Sequence, residues 1–402
     1  MSTTNGLRER LRSITPNLAF FLLGIAFLGM AGGMFETTFN NFVHDAFSLD
    51  ADRRGFLEFP RELPGFLTAL FAGLLFFLPE TRIGAVCGLM VGAGMFGLAF
   101  CGQSWNAMLL FTIVWSIGMH LLMPISSSVG MALATGGRKG RRLGQVRGVS
   151  IASSIIGCAL VWWVMRDGRT PNYRLIFIMG GTAATLAGVA LMFIRMPDAH
   201  LERPKFVWNN RYWLYYVLSF LFGARKQIFI TFGPWVLVKI FHQPVVIFAK
   251  LWMVAAVLGI AFQPLLGRAI DRLGERFVLM TDSVCIFLVC AGYGFAHLLH
   301  REAAALGLLY VCFVADQLLF GVNMARDTYL SKIAVRPEDV APTLSFGITL
   351  NHAVSMSIPS LGGLMWMRYG HSSVFLGAAV IAVVMLFFTS QVRVPASAPA
   401  QG

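Results

Sequence analysis

The sequence predicts an all-α integral membrane protein with twelve transmembrane helices in two pseudo-symmetric six-helix bundles. Its composition, the spacing of its apolar segments and the distribution of its basic residues support this prediction. Hydrophobic residues make up 57% of the 402 residues and charged residues only 13%, whereas soluble domains are about half apolar and about a quarter charged. A fold surrounded by water could not bury this much apolar surface, so the composition indicates a bilayer environment.

The apolar segments give the number of helices. A helix needs about 20 mostly apolar residues to cross the hydrocarbon core of a bilayer, and twelve such segments follow one another. The first six lie at roughly 18–44, 55–78, 83–101, 106–134, 147–166 and 174–195. The second six lie at roughly 212–241, 244–267, 277–298, 304–333, 342–367 and 372–392.

A polar connection separates the two sets of six segments. We predict an N-terminal six-helix bundle at 1–195, a cytoplasmic linker at 196–211 and a C-terminal six-helix bundle at 212–402, with a disordered tail from about 394. Transporter halves related by a parallel repeat have this organisation. The first apolar stretch is too long for the core of a cleaved signal peptide, so it is predicted to be a retained helix.

The basic residues set the predicted orientation. If the N-terminus is cytoplasmic, that side holds 19 of the 32 Lys and Arg residues and the opposite side holds 10. Because cytoplasmic loops are enriched in these residues, both termini are predicted to be cytoplasmic, in a multi-pass protein of the bacterial inner (plasma) membrane. The densest basic stretch, GGRKGRRLGQVRG at 136–148, is interpreted as a loop that faces anionic lipid.

Several classes of protein are excluded by what the sequence lacks. The net charge of +13 does not indicate nucleic-acid binding, because the basic residues form no single domain interleaved with aromatic residues. The six cysteines lie in apolar segments without zinc-binding spacing, so neither a metal nor a cofactor is predicted. The chain has no H-E-x-x-H or G-x-S-x-G motif, and it is not predicted to be an enzyme.

One loop motif carries a family resemblance. After the eighth segment the chain reads Gly267-Arg-Ala-Ile-Asp271-Arg272-Leu-Gly274-Glu-Arg276, which resembles the G-x-x-x-D-R-x-G-x-[RK] loop of the major facilitator superfamily. The resemblance implies a two-half secondary transporter. It also implies that Asp271, with Arg272 and Arg276, latches two helices through ion pairs, while Gly274 permits the tight turn.

The chain departs from the family pattern in its first half. The corresponding stretch, Gly73-Leu-Leu-Phe-Phe77-Leu-Pro79-Glu80-Thr-Arg82, keeps only the leading Gly and the final Arg. Phe77 stands where the resemblance calls for Asp. The latch of the N-terminal half is therefore expected to be absent or differently built, and no subfamily is identified.

Polar residues inside the predicted spans are candidates for a solute site, because ionisable groups in a bilayer are costly unless they face a cavity or a partner. The resemblance places the first, fourth, seventh and tenth helices around a central cavity. The candidate substrate-binding residues on these helices are Glu36, Asn40, His120, Lys226, Gln227, Asp316, Gln317 and Asn323. Of these, Glu36, His120 and Asp316 are also the proton-coupling candidates.

Other charged residues are predicted to form ion pairs or gates. Arg225 is expected to pair with an acid on a neighbouring helix, because adjacent residues point about 100° apart on a helix and Lys226 takes the polar side. Arg326 and Asp327 are interpreted as an interhelical pair or gate rather than as solute contacts. Glu58, Arg61 and Glu62 open the second segment, where either an outer gate or a solvated helix start fits their spacing.

The function predicted from these features is secondary-active transport of a small, anionic or polar solute by alternating access, coupled to protons and carried out by a monomer. Lys226, with Arg225 as a second candidate, would hold an anionic group of the solute. Two alternatives stay open: a non-transporting membrane protein of the same fold that acts as a sensor or assembly factor, and structural roles for the buried polar groups. In the latter case His120 packs in the core, and Asp316 forms a structural pair with Arg225 or Lys226.

Overall fold

Helices account for nearly all of the structure, which is a computed structural model that describes residues 15–68, 78–134, 138–167, 171–196 and 209–394. The helices of the first part of the chain are α1 (Pro16–Phe47), α2 (Ala51–Phe56), α3 (Glu58–Phe66), α4 (Glu80–Cys101), α5 (Trp105–Ala132), α6 (Lys139–Met165) and α7 (Tyr173–Met192). Those of the second part are α8 (Trp213–Lys239), α9 (Val245–Phe295), α10 (Glu302–Leu319), α11 (Asn323–Ile333), α12 (Val340–Tyr369) and α13 (His371–Thr389).

Eight helical stretches in the described ranges are long and apolar enough to cross a membrane. Helices α8 and α12, with 27 and 30 residues, are also long enough but are more polar. The predicted count of twelve and the two-bundle layout stay predictions, because residues 69–77 of the second predicted segment lie outside the described residues. The same holds for residues 197–208 of the predicted linker and for the predicted tail beyond 394.

Helix α9 contains two of the predicted spans. It runs for 51 residues, and Gly274 interrupts it with φ 81° and ψ 160°. Because a positive φ is strained for residues with a Cβ, glycine is the residue that allows the chain to break direction between the predicted segments at 244–267 and 277–298.

Two predicted helices are broken in the structure. The second predicted segment begins earlier, at Ala51, and α2 and α3 meet at Leu57. The tenth predicted segment is interrupted by a 3₁₀ turn at Phe320–Val322 between α10 and α11. At this turn Gly321 faces the side-chain amide of Gln263, and a Cβ in its place would overlap that amide.

One compact unit comprises Met1–Phe42, Thr68–Arg203 and Phe248–Lys250. Within it, α4 packs along both α5 and α7, and Gly88 on α4 meets the backbone of Gly188 on α7. Helices α1 and α6 also approach each other closely. Gly33 on α1 faces the Ser154 carbonyl oxygen, and Gly157 on α6 faces the Met30 carbonyl oxygen. Small residues therefore let the helix backbones approach.

The second compact unit comprises Val43–Leu67, Pro204–Ile247 and Leu251–Gly402. Helix α12 is central to it and packs against α2, α3, α8 and α13. Gly55 on α2 meets the Pro359 carbonyl oxygen on α12, and Gly363 on α12 meets the Ala51 carbonyl oxygen. This close packing brings the charged residues of α2 and α3 against α8 and α12.

Candidate functional site

The candidate residues of the first unit lie on partly exposed faces of α1 and α5. Gly32, Glu36 and Asn40 follow one another at four-residue spacing on α1, and each is half-buried. On α5, His120 is also half-buried, and its Nδ1 lies 3.0 Å from Ser116 Oγ and 2.9 Å from the Ser116 carbonyl oxygen. The structure thus orients the His120 ring within its own helix, and its role in proton coupling stays a prediction.

A charge cluster in the second unit is centred on Glu58. One Glu58 oxygen accepts a hydrogen bond from Arg54 at 2.6 Å, and the other accepts from Gln227 at 2.7 Å and lies 3.1 Å from Arg61 Nε. We call Arg54, Glu58, Arg61 and Gln227 the Glu58 cluster. All four side chains are buried, with Glu58 fully buried, so Glu58 and Arg61 are not part of a solvated helix start. The predicted gate role of these residues stays a prediction.

A histidine–carboxylate pair lies beside this cluster. Glu62 on α3 and His352 on α12 are buried, and Glu62 Oε2 lies 2.8 Å from His352 Nδ1. Burial disfavours an isolated carboxylate, so this hydrogen bond stabilises Glu62 in the interior and ties α3 to α12.

Lys226 lies near both the Glu58 cluster and Glu62, but unlike those residues it has no direct polar partner among the described residues. Its side chain is half-buried, and it interacts electrostatically with Glu62, Arg61 and Glu58. Among the residues that the structure describes, its ammonium makes neither a hydrogen bond nor an ion pair. Lys226 is therefore a cation that is close to buried charges yet has donors left for a ligand.

Arg225, the residue before Lys226, is fully buried and faces two aspartates on two other helices. Its Nη2 donates to Asp282 Oδ1 on α9 at 3.3 Å, and its Nη1 lies 3.7 Å from Asp316 Oδ1 on α10. We call Arg225, Asp282 and Asp316 the aspartate triad. The acid that the sequence predicts for Arg225 is thus a pair of acids, and Asp316 is held near Arg225 rather than near Lys226.

Asn323, Arg326 and Asp327 form a chain of contacts on α11. The Asn323 side-chain oxygen accepts from Arg326, and its amide donates to Asp327 Oδ2 at 3.0 Å. Arg326 also donates to the Leu218 carbonyl oxygen on α8 at 3.4 Å. Asn323 therefore bridges the two charges, and the pairing predicted between Arg326 and Asp327 is mediated by an amide. Gln317 is half-buried nearby on α10.

The loop motif at 267–276 makes its ion pair through a different residue from the one implied by the resemblance. Asp271, Arg272 and Arg276 are exposed, and within the described ranges they form no ion pair. Instead the buried carboxylate of Glu275 pairs with Lys332 at the end of α11. The reason is geometric, because the turn at Gly274 directs Glu275 inwards and leaves its neighbours in solvent.

Of the first-half counterpart of this loop, Gly73 and Phe77 lie outside the described residues. Arg82 is described, and it donates to the Met192 carbonyl oxygen at the end of α7 at 3.1 Å.

Sequence reasoning missed four residues of these clusters: Arg54, Glu275, Asp282 and His352. Asp282 and His352 lie inside the predicted ninth and eleventh segments, so the cost of an ionisable group in a span would have indicated both. They were missed because only four helices were expected to carry the site. Arg54 was assigned to a loop, and no signal in the sequence distinguishes it from the neighbouring Arg53.

The fold and the site together define a class of protein. A helical chain with many bilayer-length helices and buried charge clusters on α3, α8, α9, α10 and α12 is a multi-pass integral membrane protein with a polar interior.

The chain belongs to the Major Facilitator Superfamily, whose sequence profile matches residues 61–334. No curated protein sequence matches the chain.

Solved structures show the same fold at low sequence identity. A mutant form of the nucleoside transporter NupG superposes with a TM-score of 0.76 at 16% identity, covering 93% of this chain and 99% of that one. A bacterial homologue of the human lysosomal transporter Spinster gives a TM-score of 0.70 at 15% identity, covering 93% of this chain and 95% of that one. A D-xylose–proton symporter gives 0.67 at 15% identity, covering 94% and 97%. The chain therefore has the fold of a secondary transporter.

Proposed function

We propose that the protein is a secondary-active transporter that moves a small anionic solute by alternating access, together with protons. Its membership of the superfamily and the transporter fold support the general class. The D-xylose–proton symporter among the similar structures is an example of proton coupling on this fold. The choice of solute class rests on the charges of this chain alone.

The proposal that the solute is anionic rests on the balance of charges around Lys226. Among the residues that the structure describes around Lys226, the three cations Arg54, Arg61 and Lys226 lie with the two carboxylates Glu58 and Glu62. The Glu58 carboxylate is shared by the two arginines, whereas Lys226 keeps free donors. A small anion bound at Lys226 would neutralise this surplus, and a charge-assisted hydrogen bond from its ammonium would hold the anion.

Proton coupling is the second part of the proposal. Glu36, His120 and Asp316 are the groups proposed to bind and release the transported proton. Glu36 and His120 are half-buried, whereas Asp316 is buried beside Arg225. A proton carried together with a monovalent anion would make the transported pair electrically neutral, so that no net charge crosses the low-dielectric interior.

A ligand screen on the purified protein tests the anionic solute. We expect one or more of acetate, lactate, gluconate and inorganic phosphate to raise the melting temperature, because a ligand that binds only the native state stabilises it. In Lys226→Gln the same anion should bind about tenfold to a hundredfold more weakly, since a hydrogen bond to a charged group contributes about 1.5–3 kcal/mol.

Lys239→Gln is the matched control, because Lys239 ends the same helix and pairs with Asp50 at 3.2 Å. It should bind the anion as the unaltered protein does. Stabilisation by uridine or D-xylose with no response to any of the four anions would overturn the anionic assignment. If an anion binds but is not exchanged across proteoliposome membranes, the protein is a non-transporting sensor or assembly factor.

A further inference from the structure

The aspartate triad has more acidic groups than basic ones. Arg225, Asp282 and Asp316 come from α8, α9 and α10, and each side chain is at most 3% exposed. The guanidinium group of Arg225 lies 5.3 Å from the ring centres of both Phe222 and Phe320. Two carboxylates and one cation are thus enclosed by apolar and aromatic surface.

The neighbouring charges do not neutralise the excess acid. Arg326 is a further cation that interacts electrostatically with Arg225 and Asp282. Its side chain is engaged with Asn323 and the Leu218 carbonyl oxygen, next to Asp327. When Arg326 and Asp327 are added to the triad, the region contains three carboxylates and two guanidinium groups. Four further titratable side chains interact electrostatically with the triad and carry no charge at neutral pH; they are Cys285, Cys290, Tyr293 and Cys312.

A buried net negative charge in a membrane span is costly, and one bound proton removes it. The contacts indicate which carboxyl group holds the proton. Asp282 Oδ1 accepts a hydrogen bond from Arg225, whereas Asp316 Oδ1 and Arg225 Nη1 face each other at 3.7 Å without one. This contact is too long for a hydrogen bond, as expected where the carboxyl group is neutral.

We propose that the aspartate triad is a binding site for a single proton and that it couples this proton to the position of α8. With the proton on Asp316, Arg225 is held by the Asp282 carboxylate on α9. When the Asp316 O–H bond breaks and the proton passes to water, the new carboxylate attracts Arg225 towards α10, and Arg225 keeps its charge throughout.

The triad is connected to the proposed anion site through the backbone of α8, because Lys226 directly follows Arg225 in the chain. The next residue, Gln227, donates a hydrogen bond to Glu58. A shift of α8 at Arg225 therefore moves the proposed anion-binding ammonium. This inference rests on the proposed function for its purpose. The presence of the proton itself does not depend on that function.

Infrared spectroscopy of the purified protein tests the proton. At neutral pH we expect one carbonyl band from a buried, protonated carboxylic acid, which disappears as the pH is raised. The band should be lost in Asp316→Asn, which removes the acid. It should also be lost in Asp282→Asn, because Asp316 then ionises as the sole partner of Arg225. Glu302→Gln, an exposed change in the first turn of α10, should keep the band.

Hydrogen–deuterium exchange on the same samples tests the movement. Exchange in peptides that cover residues 222–229 should differ between the protonated and deprotonated protein, and this difference should be lost in Asp316→Asn. A band that survives in either aspartate variant, or an exchange pattern that does not change with pH, would overturn the proposal. If the band behaves as expected but none of the four anions binds, the proposed function fails and the proton site stands.

Discussion

At the scale of single residues, the structure changes the meaning of several charges. Arg54 is fully buried, donates to Glu58, and lies 5.8 Å from the ring centre of Trp235. In the sequence it is one of ten basic residues counted on the side opposite the N-terminus. A buried guanidinium group needs a nearby negative charge, and Glu58 supplies it for both Arg54 and Arg61.

We predict that Glu58→Gln destabilises the protein by about 3–5 kcal/mol, because it removes the shared negative charge from between two buried guanidinium groups while keeping the side-chain volume. The measurement is the melting temperature of the purified protein in detergent. Glu338→Gln changes an exposed glutamate and should leave the melting temperature unchanged. Equal melting temperatures for the two variants would show that the Glu58 charge is not needed for stability.

At the scale of helices, the contact between α1 and α6 shows how small residues position the candidate site. Gly33 and Gly29 face the backbone carbonyl oxygens of Ser154 and Ser150. Gly32 lies one position away, and a Cβ added to it would meet no atom within 4 Å. The same helix therefore has one glycine face that packs and one that is open, and Glu36 continues the open face.

Alanine substitutions at the neighbouring positions Gly32 and Gly33 should therefore have different effects on stability. Gly33→Ala should destabilise the protein by about 1–3 kcal/mol, because its Cβ overlaps the Ser154 carbonyl oxygen and forces the helices apart. Gly32→Ala should be neutral or stabilising by up to about 1 kcal/mol, because alanine favours the helix. Thermal unfolding of both variants is the measurement, and a loss of stability in Gly32→Ala as large as in Gly33→Ala would contradict the assigned contact.

At the scale of the whole molecule, the distribution of basic residues predicts the orientation in the membrane. The excess of 19 over 10 basic residues predicts that both termini are cytoplasmic. The burial of Arg54 and Arg61 strengthens this prediction, because two residues counted on the opposite side are engaged inside the fold and do not face the aqueous phase.

Reporter fusions test this orientation. Green fluorescent protein fused after Gly402 should fluoresce, and alkaline phosphatase fused there should be inactive, since these reporters work on opposite sides of a bacterial inner membrane. The control is a fusion after His300, in the connection between α9 and α10 that is predicted to lie on the other side. There the two reporters should give the reverse result. Active alkaline phosphatase at the C-terminus would contradict the predicted topology.

The sequence by itself determined the class of protein and the family. Apolar composition, helix-length segments and the 267–276 loop are local properties, because a bilayer constrains each span separately. The polar residues on the predicted first, fourth, seventh and tenth helices could be recognised for the same reason, since a charge in an apolar run is visible without knowing its neighbours.

Only the tertiary structure decided which charges meet. Asp282 is paired with Arg225 although 57 positions separate them, and His352 with Glu62 although 290 do. The sequence fixes neither distance, because both depend on how α3, α8, α9 and α12 pack through their glycines and turns. Ion pairing depends on the distance between side chains in the folded protein and not on their order in the chain. The triad and the surplus cation at Lys226 can therefore be recognised only from the packed helices.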